Sequence, residues 1–265
     1  MDAVAALARW TELVQRPEAE IPLDEAALLI SASANPALDV TAQLERLDAL
    51  GSRVDRADVD SLLRVLFEQE RLRGDRGSYH DPDNSYLDRV LDRRLGIPIS
   101  LAVVLLEVGR RAGVALDAVG MPGHFLVRDP ARPHQLIDPF DAGQRLDLGA
   151  CERLLQAATG DATHLSPEML ATSNRHAILA RMLANLDRNF AMRQDRTALS
   201  WLCDLRMALP VAAASDRTQL AGRLARLGRF DVAAAVLEDV AGALPAERVA
   251  ARLLAQAATF RARLN

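Results

Sequence analysis

Apolar residues recur at three-and-four spacing along the first seventy positions, which predicts helices over Ala3–Val14, 24–33, 40–54 and 56–70. Pro17 to Pro22 and Asn35-Pro36 break the pattern. Residues 71–83 are polar and hold Gly74, Gly77 and Pro82, so an irregular loop is expected. One helix should then run to Leu95, and a second over 99–112, opening after Pro98 and closing at Gly113 with Arg110 and Arg111 in its last turn. Three short strands are predicted near 116–120, 124–128 and 134–138. After Asp147 the pattern turns helical again. Residues 215–245 carry small residues around the turn Leu227-Gly228-Arg229-Phe230 and end on Pro245, a weaker copy occupies 184–210, and a last helix covers 247–263.

The second and third strands bracket Asp129-Pro130-Ala131-Arg132-Pro133, so an antiparallel hairpin is the simplest pairing. A symmetric loop sets Arg128 opposite His134 and His124 opposite Asp138. Opposed residues hold their Cβ atoms about 4.5–5.5 Å apart, close enough for a carboxylate to accept an imidazole N–H and fix its tautomer. That is the base-and-orienter half of a catalytic triad. A nucleophile at the start of the 99–112 helix would gain from the partial positive charge there, yet the segment holds no cysteine.

Gly96-Ile97-Pro98-Ile99-Ser100-Leu101-Ala102, then Arg110-Arg111-Ala112-Gly113-Val114, then His124, then Asp138-Pro139 stand in one order. This series resembles the transglutaminase-like cysteine enzymes, which carry Gly-x-Cys-x-x-x-Ala at the head of their core helix, an arginine-rich helix end, a histidine and Asp-Pro. With Asp81-Pro-Asp-Asn-Ser-Tyr-Leu, Gly120-Met-Pro-Gly-His-Phe-Leu-Val-Arg and Ile137-Asp-Pro-Phe, the chain is similar to the SirB-type branch, in which such a domain precedes tetratricopeptide-like helices. The resemblance implies an α+β fold: a helical N-terminal region, a papain-like core of one helix against a small antiparallel sheet, and a helical tail. It implies domains at 1–165 and 173–265. It also implies a cleft for an extended peptide or an acyl-bearing side chain, with Pro98 where the family's cysteine stands.

Composition narrows the chemistry. The net charge is −4 and all 32 basic residues are arginine, so there is no Schiff-base or phosphate-loop lysine, and nucleic acid is not an expected partner. Cys151 and Cys203 match no zinc or redox spacing and read as buried thiols in a reducing compartment. No stretch reaches about 18 consecutive apolar residues, so the expectation is a cytoplasmic protein that neither spans nor binds a membrane. No cofactor or metal is expected: His80-Asp81-Pro82-Asp83-Asn84 lacks the ligand spacing of a calcium loop, and Asp83 or Asn84 reads as a helix cap.

The candidate site is therefore His124 as base, Asp138 as its orienter and Pro98 at the nucleophile position. Ser100, the hydroxyl nearest that position, lies two residues or about 200° further round the helix and reads first as a residue satisfying backbone donors. Arg93, Arg94, Arg110 and Arg111 read as solvated faces or as an anion pocket. The leading functional reading is a protein- or peptide-binding module without thioester chemistry. The alternatives are a hydrolase or acyltransferase in which His124 and Asp138 activate water or Ser100, and a structural protein whose pair only braces the hairpin.

Overall fold

The computed structural model describes residues 2–160, 163–210, 213–245 and 247–264. They form two compact units, 1–189 and 190–265, and the fold is α+β and mostly helical.

The first unit opens with α1 (Ala3–Val14), α2 (Leu23–Ala34), α3 (Val40–Ser52) and α4 (Val59–Leu63), the last running into a π-turn at Arg64–Gln69. Aspartate starts three of them: Asp2, Asp39 and Asp58 each accept the N–H three residues on, at 2.8, 3.1 and 2.7 Å. The loop expected over 71–83 contains a two-residue strand, β1 (Arg73–Gly74), paired parallel to β2 (Leu95–Gly96). Two-residue strands have no periodicity to read. Between them α5 (Leu87–Arg93) is N-capped by Tyr86 without a side-chain bond, so neither Asp83 nor Asn84 is its cap. Asp83 accepts from Arg89, and Asn84 is buried with its amide donated to Ser78 O at 2.7 Å.

The core helix α6 (Pro98–Arg111) is buried along most of its length and packs against α2, α3, α4 and the sheet β3 (Asp117–Val119), β4 (Leu126–Arg128), β5 (Leu136–Asp138), β6 (Gln144–Leu146). The sheet is antiparallel throughout, in order β3-β4-β5-β6. The fourth strand is an addition to the three expected. Leu126, Leu136 and Leu146 join Cys151 and Leu155 of α7 (Leu148–Thr159) in one apolar cluster.

Of the two arginines at the end of α6, Arg110 keeps an exposed side chain, whereas Arg111 is neither solvated nor an open anion site. Arg111 is sandwiched between helices, its guanidinium bonded to Asp24 at 2.6 Å on α2, Asp48 at 2.6 Å on α3 and Glu107 at 3.2 Å. Arg110 adds bonds to Glu107 at 2.8 Å and Asp24 at 3.3 Å. Burial pushes Asp24 up, but the Arg111 hydrogen bond and the N–H of Glu25 outweigh it and its carboxyl ends below the usual range. Glu107, desolvated and facing the Asp24 charge, is pushed up.

Asp88 carries a different burden. It is 5% exposed, its Oδ1 has no hydrogen-bond partner, and burial pushes its carboxyl up despite the Ser31 hydroxyl. A carboxyl raised in the folded state protonates there before it does in the unfolded chain, so its cost is absent in acid. The cost grows as pH climbs from the unfolded pKa through the folded one. Asp88→Asn should therefore stabilise the protein by about 1 kcal/mol at neutral pH and by nothing at low pH. Urea melts across the carboxylate range check this; a stabilisation independent of pH would contradict it.

The segment after α7 leads through a 3-10 turn, Pro167–Leu170, to α8 (Arg175–Arg193), whose last turn belongs to the second unit. There α9 (Arg196–Ala208), α10 (Ala214–Arg226), α11 (Phe230–Ala243) and α12 (Glu247–Arg261) pack in chain order. Gly228, at φ 87°, makes the left-handed turn between α10 and α11. Among the described residues no helix is long and apolar enough to cross a membrane.

Candidate functional site

His124 Nε2 lies 2.8 Å from Asp138 Oδ1. The bond forms in a register other than the expected one. Val127 pairs with Ile137 and Arg128 with Leu136, so Leu126, not His124, is opposite Asp138, and His124 precedes the strand. The connection is asymmetric: Asp129 turns the chain by accepting Ala131 N at 2.9 Å, and Gln135 N closes a second turn on Arg132 O at 3.0 Å. A slip of two residues leaves every side chain on its own face, and a diagonal pair remains within reach of an imidazole.

Local backbone holds each partner. Gly123 takes φ 74°, and a Cβ there would sit 2.3 Å from that of Ala158 on α7, so glycine is required where the chain turns into His124. His124 N donates to Met121 O at 3.1 Å, and His124 O accepts Arg181 Nη2 at 2.7 Å. Asp138, 3% exposed at the end of β5, accepts a second bond on Oδ1 from Phe140 N at 2.9 Å. With Nε2 turned to the carboxylate, Nδ1 bonds to no described atom. It is the ring nitrogen available to a proton from outside.

Phe140 links this pair to the head of α6. Its ring stands edge-on to His124 with centroids 6.1 Å apart, and its carbonyl accepts Gly74 N at 3.0 Å. A Cβ on Gly74 would lie 2.4 Å from the Phe140 ring, so only glycine admits it. Gly74 in turn pairs with Gly96, two residues before Pro98, the first residue of α6. Tyr79 meets the Phe140 ring at 5.9 Å, and Arg76 lies over it at 5.3 Å.

Ser100 is spoken for. Its hydroxyl donates to Asn84 O at 2.6 Å and accepts the N–H of Ile97 at 3.1 Å, and it is fully buried. This hydroxyl fastens the helix start to the 82–84 turn and does not meet His124. Cys151 is also fully buried in the apolar cluster behind the sheet, where burial, Asp147 and Asp138 push its thiol up to about 11. A thiol at that value is ionised to about one part in 10⁴ at neutral pH, the reverse of an activated nucleophile. Cys203 is buried in the second unit. Among the described residues no group of three or more histidine, cysteine, aspartate or glutamate side chains is placed to hold a metal ion. A 460 Å³ cavity lined by Glu107, Arg110, Asp117, Ser173 and Arg175 lies at the other end of α6, and neither His124 nor Asp138 lines it.

Two residues of the site escaped the reading of the sequence. Phe140 lies in the quoted Ile137-Asp-Pro-Phe but has no chemistry to announce it. Arg181 does have a signal, an arginine set among the buried Ile178, Leu179, Met182 and Leu183 of α8.

A protein of Xylella fastidiosa named UPF0162 protein is 38% identical over 204 residues, 71% of this chain and 73% of the relative. A protein of the same name from Vibrio cholerae is 30% identical over 193 residues, 68% of this chain and 70% of its own. Human F-box only protein 21 is 34% identical over 137 residues, 48% of this chain but 21% of its own length. No solved structure matches. Residues 20–184, which hold α6, the whole sheet, His124 and Asp138, match the family described as Transglutaminase-like superfamily, and the chain belongs to it.

Proposed function

We propose that this chain is a peptide-binding member of the transglutaminase-like superfamily, of the SirB type, which seats an extended peptide or an acyl-bearing side chain at His124 without forming a thioester. The observation that carries the reading is the His124–Asp138 bond of 2.8 Å with Nδ1 unbonded, and the resemblance that sets Pro98 at the position of the family's cysteine supports it. The engaged hydroxyl of Ser100 and the raised thiol of Cys151 support it, since neither is fit to attack a carbonyl. The division into a transglutaminase-like part over 1–165 and a tetratricopeptide-like tail over 173–265 belongs to the same proposal. The sequential packing of α9 to α12 and the Gly228 turn support the tail, which would offer a second protein-binding groove.

Fluorescence anisotropy with labelled extended peptides, run beside assays for amide and ester turnover, tests the proposal. Saturable binding without turnover is expected, and serine- and thiol-directed acylating probes should leave residues 96–102 unlabelled. His124→Ala should cost about 0.5–1.5 kcal/mol for the lost hydrogen bond and more for leaving Asp138 with only the Phe140 N–H. Turnover abolished by His124→Ala would instead establish a hydrolase in which the pair activates water. A protein with neither ligand nor turnover would leave the pair a brace for the hairpin and overturn the proposal.

A further inference from the structure

Arg181 is a half-buried guanidinium, and among the described residues no carboxylate pairs with it. Its Nη2 is spent on two carbonyls, Met121 O at 3.0 Å and His124 O at 2.7 Å, and its face lies over the Phe125 ring at 5.3 Å. Nε and Nη1 make no hydrogen bond to any described atom. Gly120 keeps the space beside Nη1, because a Cβ there would come within 3.3 Å. Arg188, two turns further along α8 and exposed, likewise has no carboxylate partner. Burial presses the Arg181 guanidinium downward, and Arg188 adds to the effect.

This is unusual in a chain of net charge −4 that pairs so many of its arginines, Arg111 with three carboxylates. Burying a guanidinium on a helix that carries a second arginine two turns away costs free energy that no paired carboxylate returns. The cost falls beside the candidate base.

We infer that Arg181, with Arg188 two turns on along α8, forms a subsite for a carboxylate of the bound peptide, supplied by an Asp or Glu side chain or by the C-terminus, next to His124. The inference rests on the peptide-binding reading above and adds the class of peptide. Guanidinium donors in a fork match a carboxylate bidentately. Because Arg181 is itself bonded to the His124 carbonyl, the carboxylate would stand within about two residues of extended chain, roughly 3.3 Å each, from the imidazole.

Three labelled peptides of one sequence separate the possibilities: uncharged with an amidated end, the same with one Glu, and the same uncharged peptide with a free C-terminal carboxylate. The Glu peptide or the free-end peptide should bind about tenfold more tightly than the uncharged one, and which of them does so identifies the source of the carboxylate. The preference should weaken with added salt and fall to about onefold in Arg181→Gln. Arg181→Gln removes two carbonyl bonds, so its fold is checked by circular dichroism. The exposed Arg188→Glu, which touches no backbone, should by itself cut the preference several-fold. Equal binding of all three peptides overturns this inference and leaves the peptide-binding reading standing. Binding of none overturns both. A preference unchanged in Arg188→Glu and in folded Arg181→Gln places the carboxylate elsewhere and overturns it as well.

Discussion

Arg111→Ala will cost about 3–5 kcal/mol of stability, the largest loss expected from any single charged residue in the first unit. The side chain, 12% exposed, closes a junction of three helices by bonding Asp24, Asp48 and Glu107 at once. The helices meet so closely that a Cβ on Gly51 of α3 would fall 2.6 Å from Arg111 Cβ. Without the guanidinium, Asp24, 2% exposed, keeps only Arg110 at 3.3 Å and the N–H of Glu25, while Glu107 keeps Arg110 alone. Breaking one partner from a buried charge cluster leaves the others desolvated and uncompensated, which is why the loss exceeds that of a surface pair. The pH dependence follows from the lowered carboxyl of Asp24: its contribution is in place above the unfolded pKa and disappears as pH falls through the folded one. The gap between wild type and variant should therefore narrow in acid. Equilibrium urea unfolding at neutral and acidic pH measures both effects, and a neutral-pH loss under about 1 kcal/mol would show that the cluster is solvated in solution.

The second large effect is gained, not lost. Pro98→Cys should produce a thiol ionising well below the ordinary cysteine value and reacting with iodoacetamide about tenfold faster than free cysteine at neutral pH. Proline at the first helical position surrenders no backbone bond, so replacing it is tolerated by the helix. The unsatisfied N–H groups of α6 then favour a thiolate, and His124 Nδ1 is unbonded and can take the proton. Because Pro98 is buried, the ultraviolet absorbance of the thiolate, which does not depend on reagent access, is titrated alongside. Pairing the variant with His124→Ala should remove part of the shift. An ordinary thiol pKa in a folded protein with His124 intact would mean that the geometry around position 98 no longer supports nucleophile activation.

Elements with a long or strict period were legible from the chain. α1 is found at Ala3–Val14 as read, α6 opens at Pro98 with its arginines in the last turn, and His124 reaches Asp138 because a two-residue slip is invisible to a period of two. What escaped has no period or acts at a distance. β1 and β2 are two residues each, and β6 carries the half-exposed Arg145 between Gln144 and Leu146 in a run too short to alternate. The loop before β5 is asymmetric because Asp129 turns it with its own side chain, which nothing in Asp129-Pro-Ala-Arg-Pro states. Arg181 joins the site across 57 residues, and Arg111 joins Asp24 across 87, separations at which a pattern of neighbours is silent. The long helices and the histidine–aspartate pair are local matters of periodicity and spacing, and the fold class came with the resemblance of the ordered motifs. The arginines acquire their roles only from tertiary contacts.

Phe140 binds three parts of the molecule with three different atoms: its N–H holds the Asp138 carboxylate, its carbonyl holds Gly74, and its ring flanks His124. The orientation of the pair is thus inherited from the backbone around residue 140 and owes nothing to the side chain at position 98. Substitution at the head of the helix therefore leaves the bonds that orient the imidazole in place. On the proposed reading, a lineage built on this plan exchanges one chemistry for another at a single codon, without rebuilding the scaffold that presents it.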